Sequence, residues 1–165
     1  MSLNCLHMYG NKITTICAET FIYNGDLSNI DLGRNSITQI GASAFRNNSG
    51  LRILNISLNN IISIVPDTFI YNRELQSLEL QSNSISDIQV TTFRNNSRLR
   101  RLDISGNNIA HINETGLFAG MNLTHLDMSR NRIRYLDNTV CMRQGHLETS
   151  LYQRHVAKSR TRPLY

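Results

Sequence analysis

The chain has 165 residues, of which 40% are hydrophobic and 18% charged, enough for one folded domain with its own core. No run approaches the ~20 apolar residues of a membrane-spanning helix. The net charge of +5 is local: residues 1–140 hold twelve Lys/Arg against eleven Asp/Glu, and 141–165 hold five against one. The body is therefore close to neutral, and no nucleic-acid partner is expected for it.

From the N-terminus onward an asparagine returns every 24 residues, at Asn11, Asn35, Asn59, Asn83, Asn107 and Asn131. Six units follow from it, starting at Leu3, Leu27, Leu51, Leu75, Leu99 and Leu123 and covering 3–146. A fixed period of this kind marks a solenoid, in which one supersecondary unit stacks on copies of itself. The fourth unit shows the pattern as Leu75, Leu78, Leu80, Asn83, Ile85, Ile88, Phe93. Alternation at its start predicts a short strand. Neighbouring strands form a parallel sheet about 4.8 Å apart, and the rest of each unit is the crossover that parallel pairing requires.

Two isoleucine columns (Ile13 to Ile133 and Ile16 to Ile112) are expected inside. Phe21, Phe45, Phe69 and Phe93 close the far side. The periodic Asn stands where the chain leaves the strand. There its two donors and its acceptor can satisfy backbone groups of its own and adjacent coils. Phe-Ile-Tyr-Asn at 21–24 and 69–72 alternates with Phe-Arg-Asn-Asn-Ser at 45–49 and 93–97, a 48-residue super-repeat that points to duplication of a two-unit block.

The pattern L-x-x-L-x-L-x-x-N-x-L resembles the leucine-rich repeat superfamily, and the 24-residue period with its late Phe resembles the typical class found in extracellular receptors, Toll-like proteins included. The resemblance implies an α/β solenoid: a right-handed superhelix with a concave parallel β-sheet and a mostly irregular convex side. It also implies recognition of a protein or peptide ligand on the concave face, in a receptor, adhesion or innate-immune protein. The family places a Leu three residues after the Phe. This chain has Asn24, Asn48, Asn72 and Asn96 there, so a more polar convex side is expected.

Two concave features stand out in this register. One row reads His7, Asp31, Asn55, Glu79, Asp103, Asp127, an acidic column that could attract a cation. The weightier reading is structural, because Leu-Asp-Leu/Ile is common at this strand in the family and Arg101 and Arg130 offset Asp103 and Asp127. The other is apolar: Ile53 and Leu58 fall where polar residues are the rule, with Tyr9 two strands away, a candidate anchor for a partner. Arg34 and His125 complete the expected binding face.

No G-x-S-x-G, P-loop, H-E-x-x-H or C-x-x-C occurs, and the five histidines are scattered. The expectation is a non-enzymatic module without cofactor or metal. Sequons at Asn47, Asn95, Asn113 and Asn122 are candidate glycosylation sites, and a fifth at Asn55 falls in the middle of a strand.

Extracellular location follows from the resemblance alone, since residues 1–6 carry no leader pattern. The alternatives are an intracellular adaptor, or a fragment without independent function. Cys5, Cys17 and Cys141 are expected as free thiols or as pairing to another chain: Cys141 lies five strand spacings from the first unit, far beyond the ~7 Å Cα separation a disulfide allows. Residues 147–165 leave the register as a basic tail, expected either as a helical cap with Leu147, Leu151 and His155 on one face or as disordered. The first strand has no cap, which exposes an edge able to self-associate.

Overall fold

The computed structural model describes residues 2–112, 117, 118, 120–134 and 148–150. Its strands are β1 Cys5–His7, β2 Thr15–Ile16, β3 Asn29–Asp31, β4 Gln39–Ile40, β5 Ile53–Asn55, β6 Ser77–Glu79, β7 Arg101–Asp103, β8 His125–Asp127 and β9 Glu148–Ser150. A parallel sheet runs β1-β3-β5-β6-β7-β8-β9, and β2 pairs with β4 alongside it. Register follows the period: Leu6 pairs with Ile30, Ile30 with Leu54, Leu54 with Leu78, Leu78 with Leu102 and Leu102 with Leu126.

The last pairing departs from the expected register. His125 faces Glu148 and Asp127 faces Ser150, an offset of 23 residues. Residues 148–150 are thus a strand of the sheet and not part of a helix. The free edge of β8 presents unpaired backbone groups, and a parallel strand satisfies them. The rest of the expected helical or disordered tail, Leu147, Leu151 and His155 included, lies outside the described residues, as do Cys141 and Asn113. Cys5 and Cys17 are exposed and free.

One core runs the length of the stack. Leu27, Leu51, Leu75 and Leu99 are fully buried, as are Ile37, Ile61, Ile85 and Ile109. Phe21, Phe45, Phe69 and Phe93 stack with ring centroids 5.6, 6.1 and 6.2 Å apart, close enough for offset aromatic contact.

The convex segments contain no helix among the described residues. They run as serial tight turns, for example Asn72 N–H to the Phe69 carbonyl (3.1 Å) and Leu75 N–H to the Asn72 carbonyl (3.2 Å). Between the first two coils these turns approach closely. A Cβ on Gly41 would lie 2.5 Å from the Ala18 amide nitrogen, so only glycine fits.

The periodic asparagines do what their chemistry suggests. Asn59 Oδ1 accepts from Ile37 N–H (2.9 Å), while its Nδ2 donates to Leu32 and Ile56 carbonyls (3.1 Å each). Asn83, Asn107 and Asn131 repeat the arrangement one coil further on.

The convex asparagines correct the expectation of a more polar outer surface. Asn48, Asn72 and Asn96 are fully buried. Asn72 Nδ2 donates to Phe45 and Asn48 carbonyls (3.0 and 2.8 Å), and Asn96 Nδ2 to Phe69 and Asn72 carbonyls (3.1 and 2.9 Å). They form a second ladder beside the Phe stack. Each leaves its Oδ1 buried without a partner.

Candidate functional site on the concave face

Side chains on either side of each buried strand centre face the open side of the sheet. This places Ile53 and Asn55 around Leu54, Arg101 and Asp103 around Leu102, and His125 and Asp127 around Leu126.

The acidic column is built into the backbone. Asp31 Oδ1 accepts the Gly33 N–H (3.0 Å), Asp103 Oδ1 the Ser105 N–H (3.0 Å) and Asp127 Oδ1 the Ser129 N–H (2.9 Å). Asn55 does the same with Ser57 N–H (3.0 Å). Ser57 and Ser105 hydroxyls add bonds of 2.7 Å to Asn55 and Asp103. These are Asx turns, in which a short acceptor side chain holds the backbone two residues on.

Glu79, one methylene longer, makes no such bond, and Arg101 Nε lies 3.9 Å from its Oε1. Arg101 therefore reaches back to Glu79 and not to Asp103, contrary to the offset expected from sequence. Arg130 forms no ion pair among the described residues. His125 meets the Thr124 hydroxyl (3.1 Å).

Each Asx turn leads into a left-handed residue. Gly10, Arg34, Leu58, Ser82, Gly106 and Arg130, one per coil, have φ of 73, 52, 53, 57, 63 and 55°. A non-glycine residue there is strained by about 1–2 kcal/mol. Sequence reading missed this column, although its signal was present: Gly10 and Gly106 share one register position with Arg34, Leu58, Ser82 and Arg130, each three residues after the last residue of its strand.

Tyr9, Ile53 and Leu58 are 49, 42 and 47% exposed. The structure seats the Tyr9 ring on Gly33: a Cβ there would lie 2.9 Å from Tyr9 Cδ2 and 2.9 Å from Asn55 Nδ2. Tyr9 and Asn55 thus both crowd the space over Gly33 in the second coil, and Asn55 shares a strand face with Ile53. Leu58 lies at the other end of that strand, after the Asx turn of Asn55. Gly33 was not singled out from sequence, because only the folded neighbour shows what its missing side chain admits.

Among the described residues, no three His, Cys, Asp or Glu side chains gather as metal ligands, and no helix is long and apolar enough to cross a membrane.

No curated protein matches the chain at a significant level. Among solved structures, the one titled "Crystal structure of TLR13-ssRNA13 complex" is similar, with TM-score 0.80 and 25% identity. The match covers 89% of this chain and 21% of that one, so the chain spans about a fifth of its neighbour's length. The family model described as Leucine rich repeat matches residues 25–85 and 73–133. Those two stretches together take in more than half of the sequence, and their periodic Leu and Asn are the core and ladder residues described above: the chain belongs to the leucine-rich repeat family.

Proposed function

We propose that this chain is a non-enzymatic recognition module that binds a protein or peptide ligand on the concave face of its first three coils. Tyr9, Ile53 and Leu58 are the anchors, and Arg34 and Asn55 are their polar neighbours. The observation that carries the reading is Leu58. It is 47% exposed at φ 53°, where glycine would relieve backbone strain and a polar residue would suit solvent. Strain held at an exposed apolar side chain points to use of that side chain. Arg101, Asp103, His125, Asp127, Arg130, Asp31 and Glu79 make the rest of the face polar, as interface rims are.

The similarity to TLR13 and the family membership support an extracellular or endosomal receptor-type setting. Asn47 and Asn122, both exposed, and half-buried Asn95 are the glycosylation candidates whose surroundings the structure describes. The neighbour's title places it in complex with single-stranded RNA. Here a column rich in carboxylates lines the sheet, which favours a protein or peptide ligand over a polyanion.

The test is selection of binders from a displayed peptide library on the intact protein, followed by affinity measurement on an Ile53→Ser/Leu58→Ser variant. Loss of at least ~10-fold is expected, the usual size for truncated anchors. Unchanged affinity for every selected binder would overturn the reading. A single-stranded RNA oligonucleotide run in parallel tests the nucleic-acid alternative.

A further inference from the structure

We propose that a polar cleft on the flank of the fourth and fifth coils binds an acidic saccharide, a sugar carrying a sulfate or carboxylate group. The cleft lies where the convex turns re-enter the sheet. It is separate from the concave anchors and does not depend on the peptide reading above.

Its walls are placed by the backbone. Arg52 N–H donates to the Ser28 carbonyl (2.8 Å), Gln76 N–H to the Arg52 carbonyl (2.8 Å) and Arg100 N–H to the Gln76 carbonyl (2.9 Å). Arg52, Gln76 and Arg100 therefore stand one coil apart, each just before its strand. Gln76 and Arg100 line a cleft of about 310 Å³ together with Ser97 and Arg98, which close the fourth unit, and Asn122, which closes the fifth.

Three features select the ligand class. The first is charge. Two guanidinium groups and no carboxylate line the cleft, and Arg52 follows one coil below, in a body whose charges nearly cancel overall. Glu74 holds Arg98 by one nitrogen, which fixes that side chain and leaves the remaining N–H groups of its fork unspent. A guanidinium fork suits an oxyanion, which accepts two parallel N–H bonds.

The second is spare hydrogen bonding. The side chains of Gln76, Ser97, Arg100 and Asn122 form no hydrogen bond or ion pair among the described residues. Two amides and a hydroxyl can each donate and accept, which suits the hydroxyls of a sugar ring beside its anion.

The third is what the lining lacks. No apolar or aromatic side chain takes part in it. A peptide or protein contact centres on apolar and aromatic anchors. Single-stranded nucleic acid is held by bases stacked on aromatic rings. The cleft serves neither.

Asn122 begins the sequon Asn122-Leu123-Thr124, and a glycan there would fill the cleft, so the intact chain is prepared unglycosylated. Binding of a fluorescent heparin-derived tetrasaccharide is followed by polarisation at about 0.15 M salt, where long-range attraction is largely screened. The desulfated sugar, which keeps its carboxylates, tells the two oxyanions apart: retained binding assigns the carboxylate and lost binding the sulfate, and either supports the site. A glutamate peptide and a single-stranded RNA of equal charge should bind at least ~10-fold more weakly, and equal or tighter binding of either would overturn the saccharide assignment.

Arg100→Gln should lower tetrasaccharide affinity about 10-fold or more, the size expected when hydrogen bonds to a charged group are lost. Gln76→Ala/Ser97→Ala should lower it a few-fold. Arg46→Gln, which removes the same charge from the convex side, should leave it unchanged. Arg100 is exposed, so its variant should unfold at the parent's temperature and the loss reads binding. No binding by the parent, equal losses in Arg100→Gln and Arg46→Gln, unchanged affinity in Gln76→Ala/Ser97→Ala, or affinity retained in Arg100→Gln because the basic residues beyond 140 carry it would each overturn the proposal.

Discussion

Asn72 lies fully buried behind the Phe stack and donates to the Asn48 carbonyl at 2.8 Å. Its second donor takes the Phe45 carbonyl at 3.0 Å, while its Oδ1 has no partner. An Asn72→Asp change would put a charge among carbonyls without a cation, a large cost. An Asn72→Leu change removes two hydrogen bonds, worth about 1 kcal/mol each, but also removes the orphaned oxygen and buries apolar surface. The expected order of stability in urea unfolding is Asn72, then Leu close behind it, then Ala, then Asp. Asp is expected to lose more than about 3 kcal/mol.

The concave ladder supplies an internal control. Asn83 accepts from Ile61 N–H and donates to Ile56 and Leu80 carbonyls, all at 3.0 Å. Asn11 has a donor bond of 3.0 Å to Met8 and is exposed. Asn83→Ala should cost about 2–3 kcal/mol, since buried groups lose their partners, and Asn11→Ala about 0.5 kcal/mol or less. Equal losses at the two sites in thermal or urea unfolding would show that the ladder is not held by neighbouring coils.

The solenoid was legible in the sequence because its period acts on residue type: Leu, Ile and Asn recur where the core and the ladder need them. The second ladder was half legible. Asn48, Asn72 and Asn96 were visible as departures from the family pattern, but polarity alone suggested exposure. Burial followed from donors that reach carbonyls of the preceding coil, a relation between coils that a linear reading does not display. The acidic column was read chiefly as structural and only secondarily as a cation site, but the sequence did not show how: Asp103 is held in the turn to Ser105. The seating of Tyr9 on Gly33 is a packing fact with no linear signature.

The left-handed column predicts a trade between stability and binding. Ser82→Gly and Leu58→Gly should each stabilise by about 1 kcal/mol, because glycine adopts φ near 55° without strain. Ser82→Gly should leave peptide binding unchanged, and Leu58→Gly should weaken it. A Leu58→Gly protein that is more stable and binds selected peptides as well as the parent would remove Leu58 from the interface.

Gly33 and Tyr9 predict a non-additive pair. Gly33→Ala places a methyl 2.9 Å from the Tyr9 ring and from Asn55 Nδ2, so the ring must lift from its seat. The chain then loses the contact and about 1 kcal/mol or more of packing energy. Tyr9→Ala loses the same contact by another route. Once the ring is gone, a methyl on Gly33 meets only the Asn55 amide, which can rotate. The double variant should therefore be clearly more stable than the two single losses predict, with a coupling of about 0.5–3 kcal/mol, the range for residues in contact. Ligand affinity should fall in both single variants, although Gly33→Ala substitutes none of Tyr9, Ile53 and Leu58, because the Tyr9 anchor would be displaced and not deleted. Additive stabilities in the four-member cycle, measured by urea unfolding, would mean that the ring does not rest on Gly33. Tyr9 would then have to act at the concave face without the third coil.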